Sequence, residues 1–144
     1  MRVLLDTHVF LWMVSSPEKL SEYVKELLES EENEIFLSSV SGWEITIKSQ
    51  INKLRLPDKP DIYLPQQIEK NFVEVLPISM SHVLNIYNLP NIHKDPFDRL
   101  LISQSQLENL PIITNDRKLT QYAVETIWEA PDKYADAKEE DKRS

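Results

Sequence analysis

The chain has no cysteine among its 144 residues. Disulfide bonds and thiolate metal sites are therefore excluded, and any bound metal ion must be held by oxygen or imidazole ligands. A ligand set of this kind favours a hard divalent cation over a soft one.

Long apolar runs are also missing. No stretch approaches the roughly 20 apolar residues that a membrane-spanning helix needs. The apolar run at the N-terminus reaches Asp6 too soon for the apolar core of a signal peptide. We therefore expect a cytoplasmic protein that does not associate with a membrane.

Basic residues are in the minority, with 16 Lys and Arg against 24 Asp and Glu and a formal net charge of −8. This balance argues against binding nucleic acid mainly through a broad basic surface. Local basic clusters are still compatible with the total. An excess of acid also suits a chain that gathers carboxylates around a divalent cation.

Apolar runs of strand type alternate with helical segments along the chain. The predicted strands are residues 3–5, 35–37, 72–78, 111–114 and 126–128. The predicted helices are residues 7–14, 18–32, 43–51, 79–88 and 97–110, and a further helix is predicted to begin near residue 59. This alternation predicts a mainly parallel, five-stranded sheet with helices on both faces, a three-layer α/β fold. Residues 1–130 form one domain in this interpretation, and the charged residues 131–144 are expected to form a flexible tail.

Acidic residues follow two of the predicted strands. Asp6 comes directly after the first strand and Asp116 just after the fourth. Ligands of parallel sheets bind beyond the carboxyl ends of the strands, so these carboxylates are expected at one edge. Taken singly, each aspartate is equally well explained as the cap of the segment that follows it.

Two further acids lie inside otherwise apolar helices. Glu44 stands between Trp43 and Ile45, and Asp98 precedes an apolar run in the helix of residues 97–110. Buried carboxylates are unfavourable unless they are paired or bind a metal ion. The pattern therefore favours one acidic cluster over four unrelated acids.

A cluster of four carboxylates requires positive charge, because the acids repel one another and raise each other's pKa values. Mg²⁺ or Mn²⁺ accepts such oxygen ligands and suits phosphodiester hydrolysis, with one ion or with two. The predicted metal ligands, which are also the predicted catalytic residues, are Asp6, Glu44, Asp98 and Asp116.

Four short motifs carry a family resemblance. In chain order they are Leu5-Asp6-Thr7-His8, Ser41-Gly42-Trp43-Glu44-Ile45, His93-Lys94-Asp95-Pro96-Phe97-Asp98-Arg99-Leu100-Leu101-Ile102 and Ile113-Thr114-Asn115-Asp116. In this order and at this spacing they resemble PIN-domain ribonucleases, and VapC-type toxins in particular, from about residue 1 to residue 128.

The resemblance implies a three-layer fold with a five-stranded parallel sheet and Mg²⁺- or Mn²⁺-dependent endoribonuclease activity on RNA. It also implies inhibition by a cognate antitoxin and assembly as a homodimer. The acidic quartet of the family falls on the four acids already singled out. Thr114 matches a hydroxyl that often supports the last acid, and Thr7 is a candidate hydrogen-bond donor beside the site. Asn52 stands where related sequences often have glycine, and we expect it to end a helix in the left-handed conformation.

Asp95 and Arg99 are candidates for supporting or substrate-binding roles. Asp95 lies one helical turn before Asp98, but a position directly before proline favours the role of helix cap. Arg99 is explained equally well as a phosphate contact and as a surface or ion-pair residue. Neither His8 nor His93 is assigned a catalytic role, since a histidine near the start of a helix is more often a packing or hydrogen-bonding residue.

The aromatic and remaining basic residues are given conservative interpretations. Trp12 and Trp43 are expected in the core or at a subunit interface and not as base-stacking platforms. Basic residues near the second and fourth motifs, Lys48 among them, are expected on a solvated face or in ion pairs with the acids.

Two other functions compete with the nuclease hypothesis. A receiver-type signalling domain also binds Mg²⁺ at strand ends, but it needs paired acids after its first strand and a lysine on its last, and neither is present in this sequence. A catalytically inactive PIN-like module that binds RNA or a partner is the other alternative, and the presence of all four acids argues against it.

Overall fold

The computed structural model describes residues 1–131, in which strands and helices alternate. The predicted tail of residues 131–144 therefore lies, except for its first residue, outside the described residues. The strands are β1 (Arg2–Leu5), β2 (Glu34–Ser38), β3 (Glu74–Leu76), β4 (Ile112–Ile113) and β5 (Thr126–Ile127). The helices are α1 (Thr7–Ser15), α2 (Glu22–Glu29), α3 (Ser39–Gln50), α4 (Pro60–Lys70), α5 (Met80–Asn85) and α6 (Pro96–Glu108), with 3₁₀ turns at Pro17–Lys19, Ile86–Asn88 and Leu119–Gln121.

The five strands form one sheet in which every neighbouring pair is parallel, in the order β3-β2-β1-β4-β5. The predicted sheet is confirmed. The chain first extends the sheet from β1 to one side and then returns to add β4 and β5 on the other. The strand order therefore reverses between β1 and β4, and the crevice beyond their carboxyl ends is the place where ligands bind in sheets of this kind.

Successive side chains of each strand point to opposite faces, which gives the sheet two separate cores. Val3 and Leu5 of β1 pack with residues of α1 to α4, whereas Leu4 packs with Leu101 and Ile102 of α6. Helices thus cover both faces, as the α/β prediction requires. Within residues 1–131, no helix is both long and apolar enough to cross a membrane.

Several helices begin at different residues from those predicted because serine hydroxyls cap them. Ser21 accepts a hydrogen bond from the Val24 amide at 3.1 Å, so α2 starts after a separate 3₁₀ turn instead of continuing from residue 18. Ser38 accepts from the Val40 amide at 3.0 Å, which starts α3 four residues before the predicted position at residue 43. The prediction for Asn52 is confirmed, since its φ is 59°.

Phe72 contradicts the predicted start of the third strand. Its φ of 54° is left-handed, and the strand begins only at Glu74. The Phe72 amide donates to the Glu69 carbonyl at 3.2 Å, so Phe72 closes the end of α4. Its side chain is 90% exposed. An aromatic residue therefore takes a backbone conformation that suits glycine or asparagine.

We expect Phe72→Asn to stabilise the fold by about 1 kcal/mol, because asparagine tolerates the left-handed conformation and the exposed ring contributes little burial. Urea denaturation measures the change in free energy of unfolding. Tyr87→Asn is the matched control, since Tyr87 is 95% exposed and is not among the positive-φ residues. An equal gain in free energy of unfolding in both variants would show that replacing an exposed ring by an amide, and not relief of backbone strain at Phe72, stabilises the fold.

Candidate metal centre

The four predicted acids come from four segments that meet at the carboxyl ends of β1 and β4. Asp6 follows β1 directly, and its amide donates to the Ile113 carbonyl of β4 at 3.1 Å. Asp116 lies beyond the end of β4, Glu44 is in α3, and Asp98 is in the first turn of α6. Parallel pairing of β1 with β4 thus brings Asp6 and Asp116 to the same end of the sheet.

Thr114 joins the two strand-end acids. Its hydroxyl donates to Asp6 Oδ2 at 2.7 Å and accepts from the Asp116 amide at 3.0 Å. The hydroxyl therefore uses its one proton on Asp6 and one lone pair on the Asp116 amide, and Thr114 is 2% exposed. One carboxylate oxygen of Asp116 also accepts from the Lys118 amide at 2.9 Å, so this acid stabilises its own turn as well.

Glu44 is buried on α3 and paired with a lysine. Lys48, one turn later, places its ammonium 2.5 Å from Glu44 Oε2. This pair agrees with the conservative interpretation of Lys48 as an ion-pair partner of the acids. The hydroxyl of Thr7 donates to Ser41 at 2.7 Å, so it joins α1 to α3 close to Glu44 and does not bond to a carboxylate.

Asp95 caps the helix that carries Asp98. Its Oδ1 accepts from the amides of Phe97 and Asp98, at 2.8 and 3.1 Å. Pro96 occupies the first position of α6, where proline is favourable. The cap starts the helix so that Asp98 faces the other acids from its first turn. The structure thus gives Asp95 the capping contacts that its position before proline indicates.

His93 lies inside the cluster, where its imidazole makes hydrogen bonds, one of the two roles that its sequence position indicates. Its Nε2 is 2.8 Å from Asp98 Oδ2 and 3.9 Å from Asp116 Oδ2. Ligand atoms of these three residues lie within 4.8 Å of one another. His8, in contrast, is exposed and lies beside Trp12 with the ring centroids 6.2 Å apart.

Arg99 makes contacts that the sequence did not indicate, and its phosphate contact stays a prediction. Its guanidinium donates to the carbonyls of Pro90 and His93, at 2.9 and 3.4 Å, and to the Tyr122 hydroxyl at 3.3 Å. Arg99 therefore holds the loop that carries His93. Every residue carries a main-chain carbonyl, so the sequence around Arg99 does not indicate which of them its guanidinium contacts.

The tryptophans pack against other aromatic rings. Trp12 packs against the core and meets Trp128 edge-on at 6.0 Å. Trp43 contacts Phe97 edge-on at 4.8 Å and remains 51% exposed. Trp43 thus packs on one side only, beside the buried Glu44.

The sequence model of the PIN domain family matches residues 3–125. The chain belongs to the PIN domain family. This confirms the resemblance inferred from the four motifs and decides against a receiver-type signalling domain.

Individual relatives of this PIN domain cover nearly the whole chain. Ribonuclease VapC22 of Mycobacterium tuberculosis is 26% identical over 130 residues, which are 88% of this chain and 98% of the relative. The solved structure of VapBC2 from Rickettsia felis bound to a promoter DNA fragment superimposes with a TM-score of 0.68 at 18% identity, covering 90% of this chain and 100% of that one. DNA-bound VapBC from Salmonella typhimurium gives a TM-score of 0.66 at 14% identity, over 88% of this chain and 97% of that one. The two structures support the fold.

The acids of this PIN domain disturb one another's protonation. Burial, followed by the charges of Asp6, Asp95, Glu44 and Asp116, raises the pKa of Asp98 from 3.8 to about 8. Burial also raises the pKa of Asp6, and the hydrogen bond from Thr114 partly offsets this effect. At neutral pH the cluster therefore retains a proton on Asp98 unless other positive charge takes its place.

The donor set fits Mg²⁺ or Mn²⁺. Carboxylate oxygens are the ligands that these hard cations prefer, and a divalent charge would relieve the repulsion that raises the pKa of Asp98. Positive charge at the acids comes from Lys48, whose own pKa is raised chiefly by its hydrogen bond to Glu44. Lys48 pairs directly with Glu44 and reaches Asp98 through charge alone, and the pKa of Asp98 remains raised.

We expect Asp98→Asn to stabilise the metal-free PIN domain, by an amount that grows with pH. Asp98 has a raised pKa of about 8, so between about pH 4 and pH 8 the folded chain keeps a proton that the unfolded chain loses. Stability therefore falls as pH rises through this window, and the full penalty is present above it. The side chain of asparagine does not ionise, so Asp98→Asn does not carry this penalty.

Thermal unfolding in EDTA at several pH values from 5 to 9 measures this difference. The melting temperature of Asp98→Asn should exceed that of the wild type by a few degrees at the alkaline end and converge with it towards the acidic end. Asp61→Asn, at an exposed position in α4, is the matched control and should show no such trend. A constant offset across the whole range would contradict the assigned protonation.

Proposed function

We propose that this PIN domain is a metal-dependent endoribonuclease that hydrolyses RNA phosphodiester bonds, and that it is the toxin of a toxin–antitoxin pair. The convergence of four acids from four segments on one sheet edge carries the proposal. A structural role alone would not require an arrangement that raises the pKa of Asp98 to about 8. The name of the relative VapC22, a ribonuclease, supports the assignment of the substrate.

In this proposal Asp6, Glu44, Asp98 and Asp116 hold Mg²⁺ or Mn²⁺. A divalent ion so bound activates water and polarises a phosphoryl oxygen, which is the chemistry that phosphodiester hydrolysis needs. The chain's own residues keep the acids oriented for this purpose. Thr114 holds one oxygen of Asp6, and the cap provided by Asp95 aims Asp98 into the cluster.

Lys48 supplies positive charge at the rim of the site. Its side chain is 36% exposed while its Glu44 partner is 5% exposed. The ammonium can therefore contact an incoming phosphate without leaving the protein surface. The position of Lys48 at the acids, in a chain of net charge −8, favours local phosphate contacts over broad electrostatic attraction of RNA.

We further propose a cognate antitoxin as protein partner, a homodimeric assembly and action in the cytoplasm, where RNA is available. The neighbouring VapBC structures from Rickettsia felis and Salmonella typhimurium are assemblies that bind DNA, and the antitoxin proposal rests on likeness to them. The net charge of −8 suits a partner with a basic segment.

We expect purified protein to cut structured RNA with Mg²⁺ or Mn²⁺ and to be inactive in EDTA. Asp6→Asn should lower the rate by at least about a hundredfold, because it removes a carboxylate from the metal centre while keeping its shape. Asp61→Asn, prepared identically, should cut at the wild-type rate and so control for contaminating nuclease.

The same experiment tests the alternative of an inactive binding module. Folded, antitoxin-free protein that binds several RNAs without cutting any of them would establish that alternative. Equal cleavage by the wild type and Asp6→Asn would show that the acidic cluster is not the active site.

We expect the protein to be a homodimer in solution. Light scattering after size-exclusion chromatography should give twice the 16.9 kDa mass of one chain. A mass of one chain at the highest concentration reached would contradict the assembly and leave the cleavage prediction standing.

A further inference from the structure

The loop that carries His93 is fixed by contacts from two other segments. The His93 amide donates to the Tyr122 hydroxyl at 2.7 Å, and Arg99 donates to the Pro90 and His93 carbonyls. The His93 side chain is 12% exposed. Its imidazole is therefore held in place from the main chain, close to Asp98.

The hydrogen bonds of the imidazole define its tautomer. The Asp95 amide donates to His93 Nδ1 at 3.3 Å, and an amide can only donate. Nδ1 must then carry a lone pair, and in the neutral ring the proton lies on Nε2. Nε2 is 2.8 Å from Asp98 Oδ2, so it donates to that carboxylate.

The same contacts disfavour His93 as a ligand to a metal ion. Coordination through Nε2 would move the ring proton to Nδ1, where it would face the Asp95 amide, a second donor. Asp95 is not free to turn away, because its Oδ1 caps α6 through the amides of Phe97 and Asp98. The cap therefore holds in place the amide that determines the tautomer.

We infer that His93 is a positioning residue for the metal centre, whose Nε2–H holds one oxygen of Asp98 and leaves the other free for the cation. This inference rests on the proposed function, since it assigns a role within the proposed metal site. Hydrogen-bond partners that orient a metal ligand in this way contribute strongly to metal affinity. The closeness of His93 to Asp98 and Asp116 then reflects support of the ligands and not a third ligand.

The tautomer is tested first, on metal-free protein. Two-dimensional NMR of ¹⁵N-labelled histidine distinguishes the two neutral tautomers, and His93→Gln identifies the signal that belongs to His93. We expect the proton on Nε2. A proton on Nδ1 would overturn the inference whatever the variants show.

Metal binding is measured by calorimetric titration with Mn²⁺. His93→Leu, which has no donor, should weaken Mn²⁺ binding by about tenfold or more, whereas His93→Gln, which presents an N–H at similar reach, should recover most of the affinity. Lys94→Ala alters the same loop but leaves the imidazole in place, and it should bind Mn²⁺ as the wild type does. Circular dichroism verifies that each variant is folded.

Pulsed EPR of the Mn²⁺-loaded wild type separates positioning from ligation. We expect no coupling from a directly bound imidazole nitrogen, and such a coupling, lost in His93→Gln, would overturn the inference. Wild-type affinity in His93→Leu together with loss of binding in Asp98→Asn would also overturn it and leave the proposed function intact. If the wild type binds no Mn²⁺ or Mg²⁺, the metal-dependent function itself fails, and the role of His93 fails with it.

Discussion

Repulsion between carboxylates at the junction of β1 and β4 is the constraint on which the architecture of the site depends. Three of the four acids contact a side chain that limits their freedom. Thr114 bonds to Asp6, Lys48 pairs with Glu44, and His93 contacts Asp98. These partners come from different segments of the chain, so the cluster exists only when the whole sheet and its two layers of helices are assembled.

A site of this kind lowers the stability of the protein that carries it. The pKa of Asp98, raised to about 8, reflects first the cost of burying its carboxyl group and then the repulsion from the neighbouring acids. The sheet compensates with a core on each face, from which water is almost entirely excluded around β1 and β4. The apolar cores thus stabilise a fold that its acidic cluster destabilises, a trade-off between stability and function that is common to active sites.

The parts that sequence reasoning predicted are those that depend on local patterns. Apolar runs indicated the five strands, and acids after two of them indicated the edge where the cluster forms. The partners of His93 and Arg99 escaped prediction because they depend on how the chain just before α6 folds back on that helix, and on Tyr122, which lies 23 residues after Arg99. Phe72 was misread for a related reason, since an apolar residue before a strand looks like part of it, whereas the end of α4 determines its backbone.

The two halves of the sheet differ in extent. On one side of the crevice β1 and β2 have four and five residues, but β4 and β5 have two each. Because the pairing of β4 with β1 is short, the buried side chains of Ile112 and Ile113 and the hydroxyl of Thr114 contribute much of what keeps Asp116 beside Asp6. A cation, nucleic acid or protein that contacts both Asp6 and Asp116 then adds its binding free energy to the stability of the junction between β1 and β4.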